Sequence, residues 1–220
     1  MKVQTPNRVA AIVVVCAMSL AALGVVRAAA TDRPIKIVAL GDSLIAGFGL
    51  PAADAFPAKL SQALAAKGFA VAIVDAGVSG DTTSGGLARL NWSVPEGTDA
   101  VIIELGANDA LRGIDPAVTR RALGTIVRQL RARRIAVLLC GMLAPPNLGA
   151  DFTSAFNQIF PDIAAAYGAM YYPFFLNGVA AVQALNQPDG LHPTAQGVDV
   201  IVTRILPSVE GLIAWTRNGS

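Results

Sequence analysis

One histidine occurs in the 220-residue chain, His192, and it stands three residues after Asp189 in the segment PDGLHPTAQG. A carboxylate at that spacing can turn back to accept from Nδ1–H, which fixes the tautomer and leaves Nε2 to take a proton from a hydroxyl. Pro193 stiffens the exit from that turn. A hydroxyl suited to the base lies far upstream, on Ser43 in GDSLIAGFGL. Activated in this way, a serine attacks an acyl carbonyl and passes through an acyl-enzyme. Each piece taken alone has a plainer account. Gly-Asp-Ser is common turn chemistry, a serine at such a turn is by default a helix cap, and a lone histidine is more often structural than catalytic. The G-x-S-x-G elbow of α/β-hydrolases is also not the pattern around Ser43.

Attack on a carbonyl develops negative charge on its oxygen, and two further loops offer donors for it. Gly80, in AGVSGDTTSGGLARL, has no side chain to block close approach to its N–H. Asn108, in GANDALRG, carries an amide that can donate, although a lone loop asparagine also serves as an Asx-turn or cap residue. Asp42 and Asp109 read as loop and cap hydrogen-bonding groups, since one Asp-His pair already meets the need for a base. Met142, Leu143, Pro145 and Pro146, in MLAPPNLG, could line a groove for an acyl or aryl group, or could simply pack their own loop. With one histidine, one cysteine beyond the first thirty residues and no carboxylate cluster at ligand spacing, the sequence implies no metal and no other cofactor.

These loops need strands to aim them. Short apolar runs at residues 35–40, 71–75, 100–105, 135–140 and 170–175 have the composition of strands buried on both faces of a parallel sheet. Residues 56–67, 116–133, 152–167 and 195–215 carry apolar side chains at three- and four-residue spacing and are expected to be the crossover helices. The alternation predicts a three-layer α/β/α fold with right-handed crossovers, in which a ligand lies beyond the carboxyl ends of the strands. Every chemistry-bearing loop above follows one of the apolar runs or precedes the last helix. Cys140, inside the apolar run IAVLLCGM, is expected to be a buried core thiol.

The remaining features bound the setting. Lys2 and Arg8, an apolar run over residues 9–26, Arg27 and the triplet Ala28-Ala29-Ala30 have the order of a secretory signal peptide cleaved after Ala30. Residues 31–220 would then form one catalytic domain, exported and periplasmic. The run approaches spanning length, so a retained N-terminal anchor, or a secreted product, is the alternative. Cleavage would remove Lys2, Arg8 and Arg27, leaving 14 basic against 15 acidic residues and a net charge of about −1. A nearly neutral chain without a basic stripe offers nothing to nucleic acid, and no stable membrane insertion is expected once the signal is gone. The four arginines of residues 128–134 fit a solvated helix end, where cations suit the dipole. The mature chain would contain no internal disulfide, so its core alone must stabilise it.

GDSL around Ser43, SGDT with Gly80, GAND with Asn108 and DGLHP with Asp189 and His192 resemble, in order, the four blocks of the SGNH/GDSL hydrolases. The pattern is most similar to the bacterial multifunctional esterase type, described as acyl-CoA thioesterase I, lysophospholipase L1 or arylesterase. The resemblance runs from residue 37 to about residue 205. It departs at Ala107, where the pattern has glycine, and at Leu191, where isoleucine is common. It implies a flavodoxin-like sheet of five parallel strands and a Ser43-His192-Asp189 mechanism. The oxyanion would receive donors from the Ser43 and Gly80 N–H groups and the Asn108 amide. The partner would be a small acyl or aryl ester or thioester. A carbohydrate O-deacetylase using the same residues and a non-catalytic exported binding protein on the same scaffold remain the alternatives.

Overall fold

The five Val-, Ile- and Leu-rich runs each become a strand: β1 (Ile35–Gly41), β2 (Val71–Gly77), β3 (Ala100–Glu104), β4 (Ala136–Cys140) and β5 (Met170–Tyr172). In this computed structural model, which describes Met1, Lys2 and residues 33–217, all four strand pairings are parallel and the order is β2-β1-β3-β4-β5. That is the flavodoxin-like order the sequence implies. The compact unit begins at Arg33. The signal segment read over residues 1–30 lies, apart from its first two residues, outside the described residues. Among the described residues no helix is long and apolar enough to cross a membrane.

The helices follow from the connections. After β1 come a short α1 (Ser43–Ala46) and α2 (Phe56–Ala66); after β2 come α3 (Thr83–Ala88) and α4 (Leu90–Ser93). After β3 come α5 (Ala107–Leu111) and α6 (Pro116–Ala132), and after β4 come α7 (Ala150–Asn157) and α8 (Ile159–Tyr167). The chain closes with α9 (Ala195–Arg217). The step from β1 to β2 runs one way along the sheet and the later steps run the other way. Right-handed crossovers therefore put α2 on one face and α6 and α8 on the other. α9 returns to pack on α2, while α6 packs on α8 and α3, which completes three layers.

Two sequence expectations need correction. All five residues of β3 and of β4 are buried, as are the last five of β1, but β2 has no fully buried residue, its positions being half-buried or exposed. β2 and β5 are the sheet edges, so only one long side of each is paired, and β5 shrinks to three residues. The single helix expected over residues 152–167 is two, divided at Gln158. Pro161 explains the division: it lacks the N–H that would continue α7 and is tolerated in the first turn of a new helix. Cys140 is buried in β4 as expected, and burial pushes its thiol well above the ordinary range.

Candidate active site

In a 2-1-3-4-5 sheet the strand order reverses between β1 and β3, leaving a crevice beyond their carboxyl ends. Ser43 leaves β1 into that crevice as the first residue of α1, and Asn108 leaves β3 into it within the first turn of α5. Asp42 caps α1 by accepting from the Leu44 N–H at 3.0 Å. Gly41 is required by close approach. A Cβ there would come within 2.2 Å of an Ile45 side-chain carbon and 2.6 Å of the Glu104 carbonyl, so any larger residue would push α1 and Ser43 off the strand end.

Across the crevice, Asp189 and His192 lie in a loop closed at its base by a bridge between Asn186 and Pro193. The Ser43 hydroxyl donates to His192 Nε2 at 2.9 Å, and His192 Nδ1–H donates to Asp189 Oδ2 at 2.7 Å. The other Asp189 oxygen accepts from the backbone N–H groups of Leu191 at 2.9 Å and His192 at 3.0 Å. These bonds hold the Asp189 carboxyl down at about 2, the His192 backbone N–H contributing most, then its ring, then the Leu191 N–H. The carboxylate therefore stays ionised and faces the ring nitrogen it orients. Gln187 ties the loop to the Ser43 side of the crevice, its amide donating to the Phe48 carbonyl at 2.7 Å and to the Pro193 carbonyl at 3.0 Å. The Phe48 ring lies 4.6 Å from the imidazole, covering one face of it.

Asn108 lines the same cleft as Ser43 and His192, and one of its amide hydrogens is spent on Asp42 Oδ2 at 3.0 Å. The second amide hydrogen is the one the arrangement can offer to a bound oxyanion. Gly80 is not among the residues lining the cleft. Its φ of +80° is a backbone conformation that favours glycine, and its carbonyl accepts from Arg112 at 2.7 Å. Asp109, expected to serve as a loop hydrogen-bonding group, is fully buried and joins the second and third loops by accepting from Thr83 N–H at 2.9 Å and Thr119 Oγ1 at 3.0 Å.

Two arginines within the motif-bearing loops brace the site from behind. Arg112 pins the Gly80 peptide, as above. Arg89 donates to Asp81 Oδ2 at 2.7 Å and to the carbonyls of Ala76 and Gly41, both at 2.9 Å, bracing the ends of β1 and β2 together. A single sequence gives no signal that distinguishes such internal braces from solvated arginines.

Met142, Leu143, Pro145 and Pro146 all line the cleft, which has a volume of about 500 Å³. Its walls also include Leu44, Leu111, Phe174, Leu176 and Leu191, and among the described residues its polar side chains are Ser43, Asn108, Asn186 and His192. Leu111, Leu143 and Leu191 are about half exposed, which gives the mouth an apolar rim. Among the described residues no group of three or more His, Cys, Asp or Glu could hold a metal ion.

A strand-end serine, an oriented imidazole and an asparagine amide around one apolar cleft are the groups an acyl hydrolase needs. Residues 39–200 match the GDSL-like Lipase/Acylhydrolase family, and the chain belongs to it. It is an α/β enzyme of the SGNH type that hydrolyses ester bonds. It is 38% identical over 178 residues to Esterase TesA of Pseudomonas aeruginosa, covering 80% of this chain and 89% of that one. It is 34% identical over 188 residues to Thioesterase 1/protease 1/lysophospholipase L1 of Escherichia coli K12, covering 85% and 88%. The solved structure of AlinE4, an SGNH-hydrolase family esterase, aligns with a TM-score of 0.69 at 44% identity, covering 81% of this chain and 96% of that one.

Proposed function

We propose that this chain is an exported esterase that cleaves carboxylic ester or thioester bonds of acyl or aryl substrates through a Ser43 acyl-enzyme. His192 takes the Ser43 proton as the hydroxyl attacks the carbonyl and returns it to the leaving group. Water, activated by the same imidazole, then releases the acid. Asp189 holds the tautomer and stabilises the imidazolium. The Asn108 amide and the N–H groups of Ser43 and Gly80 receive the charge on the tetrahedral oxygen. The observation that carries this reading is the unbroken chain from Ser43 Oγ through both ring nitrogens to Asp189, with spacings of 2.9 and 2.7 Å. Export rests on the basic, apolar and Ala-rich order of residues 1–30.

The cleft walls favour an apolar acyl or aryl group over a carbohydrate, which would need polar lining that leucine, methionine and proline do not supply. Two measurements test the reading. A fluorophosphonate should label Ser43 covalently, and Ser43→Ala should abolish both labelling and turnover, a loss on the order of 10⁶ in kcat. A chain-length series of p-nitrophenyl esters should favour acyl groups longer than acetyl, each methylene contributing about 1–3 kcal/mol at most. Labelling at another residue, or a preference for acetylated polysaccharide over every p-nitrophenyl ester, would reject the assignment.

A further inference from the structure

Below the cleft floor lies a pair of acids with no part in the proton transfers proposed for Ser43, His192 and Asp189. Asp42 and Glu104 are both fully buried. Glu104 ends β3 opposite Gly41 in the sheet, so its side chain sits directly beneath the residue that leads into Ser43. The hydrogen bonds of the two acids differ. Asp42 accepts from the Leu44 N–H and from the Asn108 amide, each at 3.0 Å, so each of its oxygens has a good donor. Glu104 has only the Asp42 N–H, at a long 3.4 Å from Oε2, and its Oε1 is buried with no donor at all. Asp42 is thus solvated by the protein as a carboxylate, and Glu104 is not.

We propose that Glu104 is a positioning residue for the oxyanion side of the site. It keeps its proton, donates it to the Asp42 carboxylate, and so fixes the acceptor that holds the Asn108 amide toward Ser43. A carboxyl buried with one long peptide donor and an unpartnered Oε1 is not solvated as an anion, so it holds its proton, and the Asp42 carboxylate beside it is the acceptor that proton can reach. The surroundings select Glu104 as the protonated member. Burial and the facing Asp42 push its carboxyl well above the usual range, and the group opposite it in β4 is the neutral thiol of Cys140. The basic side chains nearby serve other atoms: Arg89 bonds the Gly41 carbonyl, and the His192 ring faces Asp189 and Ser43. A neutral Glu104 also limits the crevice floor to one negative charge. A second would oppose the oxyanion that forms above it.

The inference rests on the proposed oxyanion role of Asn108, and the test separates the two. Glu104→Leu should fold, keep its KM for a short p-nitrophenyl ester, and lose about tenfold or more in kcat through a misplaced amide. Glu104→Gln supplies an uncharged donor of the same shape and should restore kcat to within about threefold of the parent. Equal damage from Gln and Leu, or no damage from Leu, overturns the proposal.

Unfolding provides a second readout that needs no turnover and no Leu variant. A carboxyl raised in the folded state contributes its stability below the ordinary carboxylate range and loses it as pH climbs toward the raised value. Gln does not titrate. The stability of Glu104→Gln relative to the parent should therefore increase as pH climbs above the ordinary carboxylate range, and a flat difference would count against a protonated Glu104. Full turnover in Asn108→Ala would instead sink the oxyanion reading while leaving this stability comparison intact.

Discussion

The two sides of the catalytic crevice are built on opposite plans. The base side is local: Asp189, Leu191 and His192 make all their mutual bonds within three residues, and the Asp189 side chain is 38% exposed. The acceptor side is assembled over distance. Asp42 meets Glu104 from 62 residues away and Asn108 from 66, and Ser43 is only 9% exposed. A short loop can orient an imidazole by itself. A preorganised site for developing charge needs dry surroundings and donors fixed by a packed sheet. The contrast means the two sides should fail differently when damaged.

Ser43 itself aside, the largest effect should come from the base side, with the least structural disturbance. Asp189→Asn would present the wrong hydrogen-bonding partner to Nδ1 and should lower kcat by about 10⁴ while the thermal midpoint at neutral pH barely moves. A loss below tenfold, measured with a p-nitrophenyl ester, would mean that the loop does not supply the base. Next comes Asn108→Ala, expected to lower kcat a few hundred-fold with little change in KM. Here the fold should also weaken, by about 1–2 kcal/mol in denaturant melts, because Asp42 Oδ2 is left short of a donor in a buried place. A catalytic loss with unchanged stability would break the claim that the acceptor side doubles as a structural element.

The smallest effect concerns acid. The Asp189 carboxyl, at about 2 in the folded chain, lies below its unfolded value, so its contribution is present above the ordinary carboxylate range and fades as pH falls through about 2. Solvent reaches this group, so the acid limb of the stability curve should be only slightly shallower in Asp189→Asn than in the parent. Coincident acid limbs would leave the Asp189 bonds with no share in stability.

The same contrast governs how much could be read from the sequence. A motif whose members are neighbours, such as DGLHP, carries its geometry in its spacing, and the 2.7 Å Asp189–His192 bond is what that spacing anticipates. The α/β alternation and the central strands were legible for a similar reason, since runs buried on both faces must be continuously apolar. Edge position is not written into a run, so β2 read the same as β1. Asp42 was legible as a cap, which it is, but its bond to Asn108 depends on β1 and β3 lying side by side. Glu104 drew no attention at all: one acid at the end of an apolar run shows nothing until the sheet register sets it opposite Gly41. Pro161 was a readable signal for the break between α7 and α8, outweighed by continuous helical periodicity.

The bridge between Asn186 and Pro193 has one further implication. It ties the two ends of an eight-residue ring, and Gln187 N–H closes the ring again on the His192 carbonyl at 2.7 Å. Asp189 and His192 therefore sit on one closed ring, and Gln187 fastens that ring to the Phe48 carbonyl beside Ser43. The 2.9 Å step from hydroxyl to imidazole is thus held by the same short segment that holds the 2.7 Å step from imidazole to carboxylate.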